Sequence, residues 1–497
     1  VNNPNESRDK GGTFGNKENF LVIMVMILGV FVAILNETLL NVALPKIMGE
    51  IGILPSTAQW LTTGYLLVIG VLIPVTAFLI QRFSTRTLFL TAMGVFTLGT
   101  FIAAIAPGFF VLLIGRVLQA AGTGLLFPLL TNVVFSIVPL EKRGSAMGTI
   151  GIVITFAPAI GPTVSGIIVE HFSWRMLFYS VLPIALFVIG FAYFKLKNVT
   201  ETTHPKVDLP SLLLSTLGFG GIVYGFSSAG EGHGGWSSYE VLIPVTIGLV
   251  SLALFTWRQL TIEQPLLDLR TFKYNVFRMS TVIMMVVMMA LFSGMMLLPL
   301  FLQNGLGYSP LEAGFIMLPG GIVMGIMSPI TGRLFDRFGA RWLAVVGLGL
   351  MSLTLWQFAF ITVSTAYVTI MVLNTFFMLG ISMLMMPVMT NALNELPRGL
   401  YPHGTAIIST LQQVAGAVGT ALLVTVMTNG SRRFLENLGA SSGTPDPAQQ
   451  VLALTAGMKS AFLLAFALVV IAWIASFFLK RAVPPDMELK EKRIPAH

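Results

Sequence analysis

Long apolar runs alternate with short polar gaps along nearly the whole chain. The runs lie at about 21–41, 57–80, 87–106, 109–137, 144–169, 174–194, 210–229, 239–257, 277–302, 311–332, 342–361, 366–393, 404–428 and 457–479. Each is near or above the roughly 20 residues that carry a helix across the hydrocarbon of a bilayer. They are far longer than barrel strands and do not alternate residue by residue, so helices are predicted and a barrel is not. The pattern predicts an all-α membrane protein of fourteen transmembrane helices. Residues 1–19 are polar, and the run after them carries Asn36 and Glu37 without a small-residue cleavage site. It reads as a retained first helix, not a signal peptide. The segment 430–456 holds Gly, Ser and Pro and no long apolar run, so a long outer loop is predicted there, helical in part around 446–456.

Composition agrees. The chain is 55% hydrophobic and only 10% charged, against about 25% charged for soluble domains. Its formal charge is +8, and the position of the charges matters more than the sum. With the N-terminus in the cytoplasm, 23 of the 29 Lys and Arg residues fall in cytoplasmic segments. Five fall outside (Lys46, Arg175, Arg432, Arg433, Lys459), and Arg116 is left within a span. Cytoplasmic loops of membrane proteins are rich in Lys and Arg, so an even number of spans with both termini inside follows. No aromatic-basic stripe points to nucleic acid.

The same composition narrows the chemistry. There are no cysteines, and the five histidines (His171, His204, His233, His403, His497) lack metal-ligand spacing. Gly230-Glu-Gly-His-Gly-Gly235 has neither the strand nor the Lys-Ser/Thr of a phosphate-binding loop. No enzyme, cofactor or metal is expected.

An offset of about 255–260 residues shows an internal duplication. Ala77-Phe-Leu-Ile-Gln-Arg-Phe-Ser-Thr-Arg86 matches Gly332-Arg-Leu-Phe-Asp-Arg-Phe-Gly-Ala-Arg341. Pro128-Leu-Leu-Thr-Asn132 matches Pro387-Val-Met-Thr-Asn391, and Gly144-Ser-Ala146 matches Gly404-Thr-Ala406. Helices 1–6 therefore pair with helices 9–14. The predicted division is a cytoplasmic segment 1–19, a six-helix bundle 20–200, two linker helices 201–260, a second bundle 261–480 and a tail 481–497. Parallel repeats place a substrate site between the halves near the midplane, and rocking exposes it to each side in turn.

These segments resemble the major facilitator superfamily, and within it the fourteen-span drug:proton antiporters of the EmrB/QacA type, which include the lincomycin-resistance exporters of Gram-positive bacteria. The resemblance covers nearly the whole chain. It rests on Leu35-Asn-Glu-Thr-Leu-Leu-Asn-Val-Ala-Leu-Pro45 in the first helix and on the two loop segments above, which are similar to motif A. It rests also on Arg116-Val-Leu-Gln-Ala-Ala-Gly-Thr-Gly124, similar to motif B, and on Ala157-Pro-Ala-Ile-Gly-Pro-Thr-Val-Ser-Gly166, similar to antiporter motif C. Two departures stand out. Asn36 occupies the place of the usual Asp, with the acid one residue on at Glu37, and Gln81 replaces the Asp of the first motif A. One residue turns a helix by about 100°. The resemblance implies a cytoplasmic latch centred on Asp336, Arg337 and Arg341, and a weaker one around Gln81, Arg82 and Arg86. It also implies a hinge and seal in helix 5, formed by Gly148, Gly151, Pro158, Gly161, Pro162 and Gly166, and a role for Arg116 in proton coupling.

Glu37 and Arg116 are the charged groups that could carry chemistry inside a span. A buried carboxylate is costly unless paired or wet, and burial and a nearby cation pull its proton affinity in opposite directions. Glu37 is therefore the candidate proton carrier; the alternative is a solvated residue at the outer end of its helix, near Pro45 and Lys46. Arg116 cannot discharge and needs a permanent partner, unless it snorkels from a helix end. Gly144, Gly148 and Gly151 share one helix face, which admits a close neighbour, whether as a seal or as ordinary packing. Met residues crowd helices 9 and 12, among them Met284, Met288, Met295, Met296, Met386 and Met389. They suit a permissive apolar pocket, though gap filling explains most of them. Polar candidates for a substrate cavity are Asn36, Asn41, Gln59, Tyr65, Asn132, Gln303, Asn304, Asn374, Asn391 and Gln412.

The expected function is proton-coupled export of lipophilic compounds from the plasma membrane of a bacterium, by a monomer in contact with membrane lipids. A lipid or fatty-acid transporter on the same fold, and a sensor without turnover, are the rivals.

Overall fold

The computed structural model describes residues 17–53, 55–199, 202, 208–230, 235–263, 265–308, 310–438 and 446–482. The N-terminal segment, most of the C-terminal tail and most of the Gly230–Gly235 segment lie outside these residues.

The described residues fold into helices with no strand. The first half holds α1 (Lys17–Ile51), α2 (Pro55–Arg82), α3 (Thr85–Ala104), α4 (Phe109–Ile137), α5 (Arg143–His171) and α6 (Arg175–Lys195). Two further helices follow, α7 (Leu209–Gly230) and α8 (Tyr239–Thr261). The second half holds α9 (Asn275–Leu300), α10 (Pro310–Phe338), α11 (Ala340–Phe358), α12 (Tyr367–Ser382), α13 (Met385–Asn394), α14 (Tyr401–Asn437) and α15 (Pro447–Ser476).

Among the described residues twelve helical spans are long and apolar enough to cross a membrane, α12 and α13 together forming one of them. The two arms of α2, bent at Pro74, make a thirteenth. Proline lacks the donor that would continue the ladder there. Helix α5, of 29 residues, covers a further apolar run, so the helices are consistent with fourteen spans. The expected 430–456 loop is much shorter: α14 runs on to Asn437, and α15 starts at Pro447 behind an Asp446 capping box. The described polar residues of this stretch, among them Arg432, Arg433 and Gln449, lie on helix ends that extend past the apolar core.

Apolar side chains remain exposed on the outward faces. On α8, Ile243, Ile247, Val250, Leu254 and Trp257 all face outward. A continuous apolar surface of this size belongs in lipid.

The two bundles meet along two seams, α5 against α10 and α2 against α14. Helix α7 packs on both α2 and α14 and so lies over the second seam.

Candidate functional site

Glu37 lies 14 residues before the end of α1, because the helix continues without a break to Ile51. At 1.5 Å per residue that is about 21 Å, so Glu37 is a mid-helix residue, three residues before the end of the apolar span Asn19–Leu40. The far part of α1 is held to α5: Ser165 Oγ donates to Leu39 O at 2.6 Å, and Lys46 Nζ donates to Phe172 O at 3.0 Å. Glu37 is half-buried, and among the described residues its carboxylate takes no hydrogen bond. It sits within electrostatic reach of Arg116 and Tyr65.

Arg116 does not snorkel; it is 1% exposed. Its Nε donates to Leu61 O at 3.3 Å and its Nη1 to Gln119 Oε1 at 3.0 Å. The guanidinium lies 4.0 Å from the ring centre of Tyr65, a cation–π contact. Tyr65 Oη donates to Thr123 Oγ1 at 2.8 Å, and Gln119 Nε2 donates to Thr100 Oγ1 at 3.0 Å. Helices α2, α3 and α4 thus lock a fixed positive charge beside a free carboxylate on α1. Next to that carboxylate, Asn36 is 2% exposed, and its Nδ2 has no partner among the described residues. Asn374 on α12 is in the same state.

The remaining polar candidates divide. Asn132 is buried, Gln412 is half-buried, and Gln303 is exposed in the π-helical turn that ends α9. Asn391 uses both ends of its amide on the backbone of Lys480 and Ala482. The side chains of Asn41, Gln59, Asn304 and Pro162 lie outside those described. Of the methionines, Met284, Met288, Met386 and Met389 are buried in the core, while Met295 and Met296 are exposed. Among the described residues no cluster of His, Asp or Glu could hold a metal ion.

The seams are closed at the arginine-rich end. At the first, Asp336 Oδ1 accepts from Gly144 N and Oδ2 from Ser145 N, each at 2.9 Å. These donors open α5, where the first N–H groups lack partners within the helix and the dipole is positive. The partners of Asp336 are therefore not Arg337 and Arg341. Both arginines are exposed and lie over their neighbours Phe338 and Trp342. Long cations at a helix end reach outward, whereas the short Asp side chain faces the seam. Arg481 donates to Asp336 O at 3.0 Å.

Further along this seam the backbones nearly touch. A Cβ on Gly148 would meet Ser328 O at 2.6 Å and Pro329 Cα at 3.0 Å, and one on Gly332 would press on the Gly144 backbone. Gly151 faces Ser328 and Met386, and Gly161 faces Thr38 of α1. Gly166 faces open space, so it makes no close approach. Pro158 is half-buried within α5.

At the second seam Gln81 lies 2.7 Å from His403 Nε2. Arg82 is exposed over Phe78, and Arg86 is tied to α6 through Tyr193 O at 2.6 Å and through Asn198.

Sequence reasoning missed Arg143 and His403. Arg143 is buried and bridges the bundles: Nη1 donates to Asn394 Oδ1 and to Tyr401 Oη, both at 3.0 Å, and Nη2 to Phe135 O at 2.7 Å. The repeat held the signal. Arg143 and His403 directly precede the matched glycines Gly144 and Gly404.

The chain is similar to several known proteins. The family model described as Major Facilitator Superfamily matches residues 26–420. The lincomycin resistance protein LmrB of Bacillus subtilis is 49% identical over 460 residues, which is 93% of this chain and 95% of that protein. The multidrug resistance protein B homolog of Mycobacterium tuberculosis is 31% identical over 81% of this chain and 75% of its own. In fold, the human organic anion transporter MFSD10 (TETRAN) superposes with a TM-score of 0.66 at 13% identity, over 93% of this chain and 100% of that one.

Proposed function

Because the chain belongs to the major facilitator superfamily, we propose that it exports lipophilic drugs or other toxic compounds across a bacterial plasma membrane in exchange for protons. Its relatives named for lincomycin and multidrug resistance support the export of drugs. Both termini are cytoplasmic in this reading, so the arginine-rich end faces inward. The moving units are the bundles 20–200 and 261–480, joined by the linker pair 201–260, and the chain works as a monomer.

The observation that carries proton coupling is Glu37, an unbonded carboxylate in mid-helix beside a fixed guanidinium. Arg116 keeps its charge throughout the cycle. Glu37 is the group free to change. Proton loading when the site faces outward, and release when it faces inward, would tie inward proton flow to outward movement of the compound. Asn36 and Asn374, each with an unmatched buried donor, are the leading contacts for substrate acceptors. With a single mid-helix acid in the described spans of the first half, the substrate is neutral or weakly charged, or a cation competing for Glu37. The lipid-transporter reading calls for a lateral opening beside α7 and α8, and α7 packs there on both walls.

Proton release from purified protein in proteoliposomes, on adding a lincosamide or a lipophilic dye, tests the reading. Release by the wild type and none by Glu37→Gln is expected. Equal release in both moves the carrier elsewhere, and no release in either, with binding intact, rejects antiport.

A further inference from the structure

The two seams resemble one another in layout but not in chemistry. At α5–α10 an acid meets bare backbone N–H groups. At α2–α14 the position matched to Asp336 holds Gln81, a neutral amide, and it faces His403, the match of Arg143. A neutral pair is the weaker tie, since hydrogen bonds to an ionised group are about twice as strong. The second seam, however, has a third member, which reaches it from the linker helices.

The path begins at the arginine-rich end of the α7–α8 hairpin. Asp208 accepts from Arg258 Nε at 3.0 Å and from Nη2 at 2.8 Å, a bidentate pair. Ser211 Oγ donates to Asp208, and Gln259 Nε2 donates to Ser211 Oγ at 2.6 Å. The other end of the Gln259 amide accepts from Leu267 N at 3.1 Å. The next peptide N–H, that of Asp268, donates to His403 Nδ1 at 3.2 Å. Opposite, His403 Nε2 faces Gln81 of α2.

A neutral imidazole has one acceptor and one donor nitrogen. Gln81 Nε2 stands opposite His403 Nε2 in the structure; with Nδ1 accepting from Asp268, Nε2 carries the proton, so the bonding network requires the Gln81 amide to be turned to present its oxygen. One small ring therefore joins α14, α2 and the strand of chain that leaves the hairpin. Lys or Arg, which carry donors only, could not make both bonds.

We propose that His403 is a positioning residue that couples the α7–α8 hairpin to the α2–α14 seam, so that the hairpin braces the arginine-rich end shut. This rests on the alternating-access reading above. It gives the two extra helices a task in the transport cycle, namely setting how readily the weaker seam parts.

The chain has no cysteine, so spin labels can be placed on the full-length protein without removing any. Phe83→Cys after α2 and Gly399→Cys before α14 are both exposed, and a side chain at Gly399 meets nothing within 4 Å. Distances between them in lipid, without substrate, report the open and closed populations. His403→Ala and Gln259→Ala should each raise the open-to-closed ratio about fivefold, the order expected for one lost hydrogen bond. The double variant should go no further than His403→Ala alone, because the two act on one path, and His403→Gln should move back toward the wild type. A wild-type distribution for Gln259→Ala, or effects of the two variants that simply add, would overturn the coupling. If His403→Ala does not fold, Gln259→Ala decides alone. Adding a lipophilic dye to the labelled wild type tests the export reading separately: a closed population that never responds to dye rejects export while the dye-free comparison still reads the brace.

Discussion

The carboxylate of Asp336 accepts the backbone N–H of Gly144 at 2.9 Å, across the seam between the two bundles. A second bond, from Ser145 N to the other oxygen, makes the contact bidentate. The charge of Asp336 thus caps a helix of the opposite bundle, and the contact exists only while this end is shut.

Asp336→Asn tests that cap. The amide offers one acceptor and turns a donor toward a donor, so one bond is lost and a mismatch is added. A cost to the closed state of about 1.5–3 kcal/mol follows. Transport should fall roughly tenfold or more, and accessibility of the arginine-rich end to thiol reagents at an introduced cysteine should rise. Unchanged accessibility would mean that Asp336 does not hold the seam.

The glycines of α5 give a steric version of the same test. Gly148→Val should keep the seam from closing, since its Cβ would already meet Ser328 O and the Pro329 backbone. Gly166→Ala should behave as wild type, because nothing lies within 4 Å. A transport assay on the two variants separates a close crossing from a general intolerance of side chains along α5.

Around Arg116, fork geometry and ring contact can be told apart from charge. Arg116→Lys keeps the charge but loses the paired donors to Leu61 O and Gln119 and the flat face on Tyr65. Transport should drop at least tenfold. Tyr65→Phe keeps the ring and removes only the bond to Thr123, a change of about 0.5–1.5 kcal/mol, and should retain most activity. Thermal unfolding in detergent, run beside transport, shows whether a loss is functional or structural.

The hairpin clamp has a defined pH range. Hydrogen bonds from Arg258 first, and the Ser211 hydroxyl and backbone after it, hold Asp208 below the usual carboxylate range, against a smaller opposing effect of burial. A lowered acid contributes stability that is fully present above its unfolded value of about 3.9 and is lost as pH falls through the lower folded value. Between pH 5 and 8 the clamp should hold, with protection of the α7–α8 backbone in hydrogen exchange unchanged. Asp208→Asn should remove that protection at every pH. A loss in the wild type near pH 6 would contradict this assignment.

Much of the molecule could be read from the chain. The spacing of apolar runs predicted the twelve candidate spans and the bent α2 pair found among the described residues, since lipid requires each backbone polar group to be satisfied within its own helix. The offset repeat gave the expectation of two paired bundles with α7 and α8 between them. Glu37 and Arg116 stood out because charge inside an apolar run is rare. Helix length was less legible: the helical part expected around 446–456 is the start of α15, yet residues 430–437, read as loop, belong to α14.

By itself, then, the sequence determined that the chain is built of long apolar helices and that Glu37 and Arg116 lie within them, because these depend on local composition and period. Only the tertiary structure decided who meets whom. It set Asp336 on Gly144 and Ser145 and not on its neighbouring arginines, and it buried Arg143 between bundles. It also brought Gln81, Asp268 and His403 together from three separate parts of the chain. Such contacts depend on the distance and direction between helices far apart in sequence, which no local pattern of residues encodes.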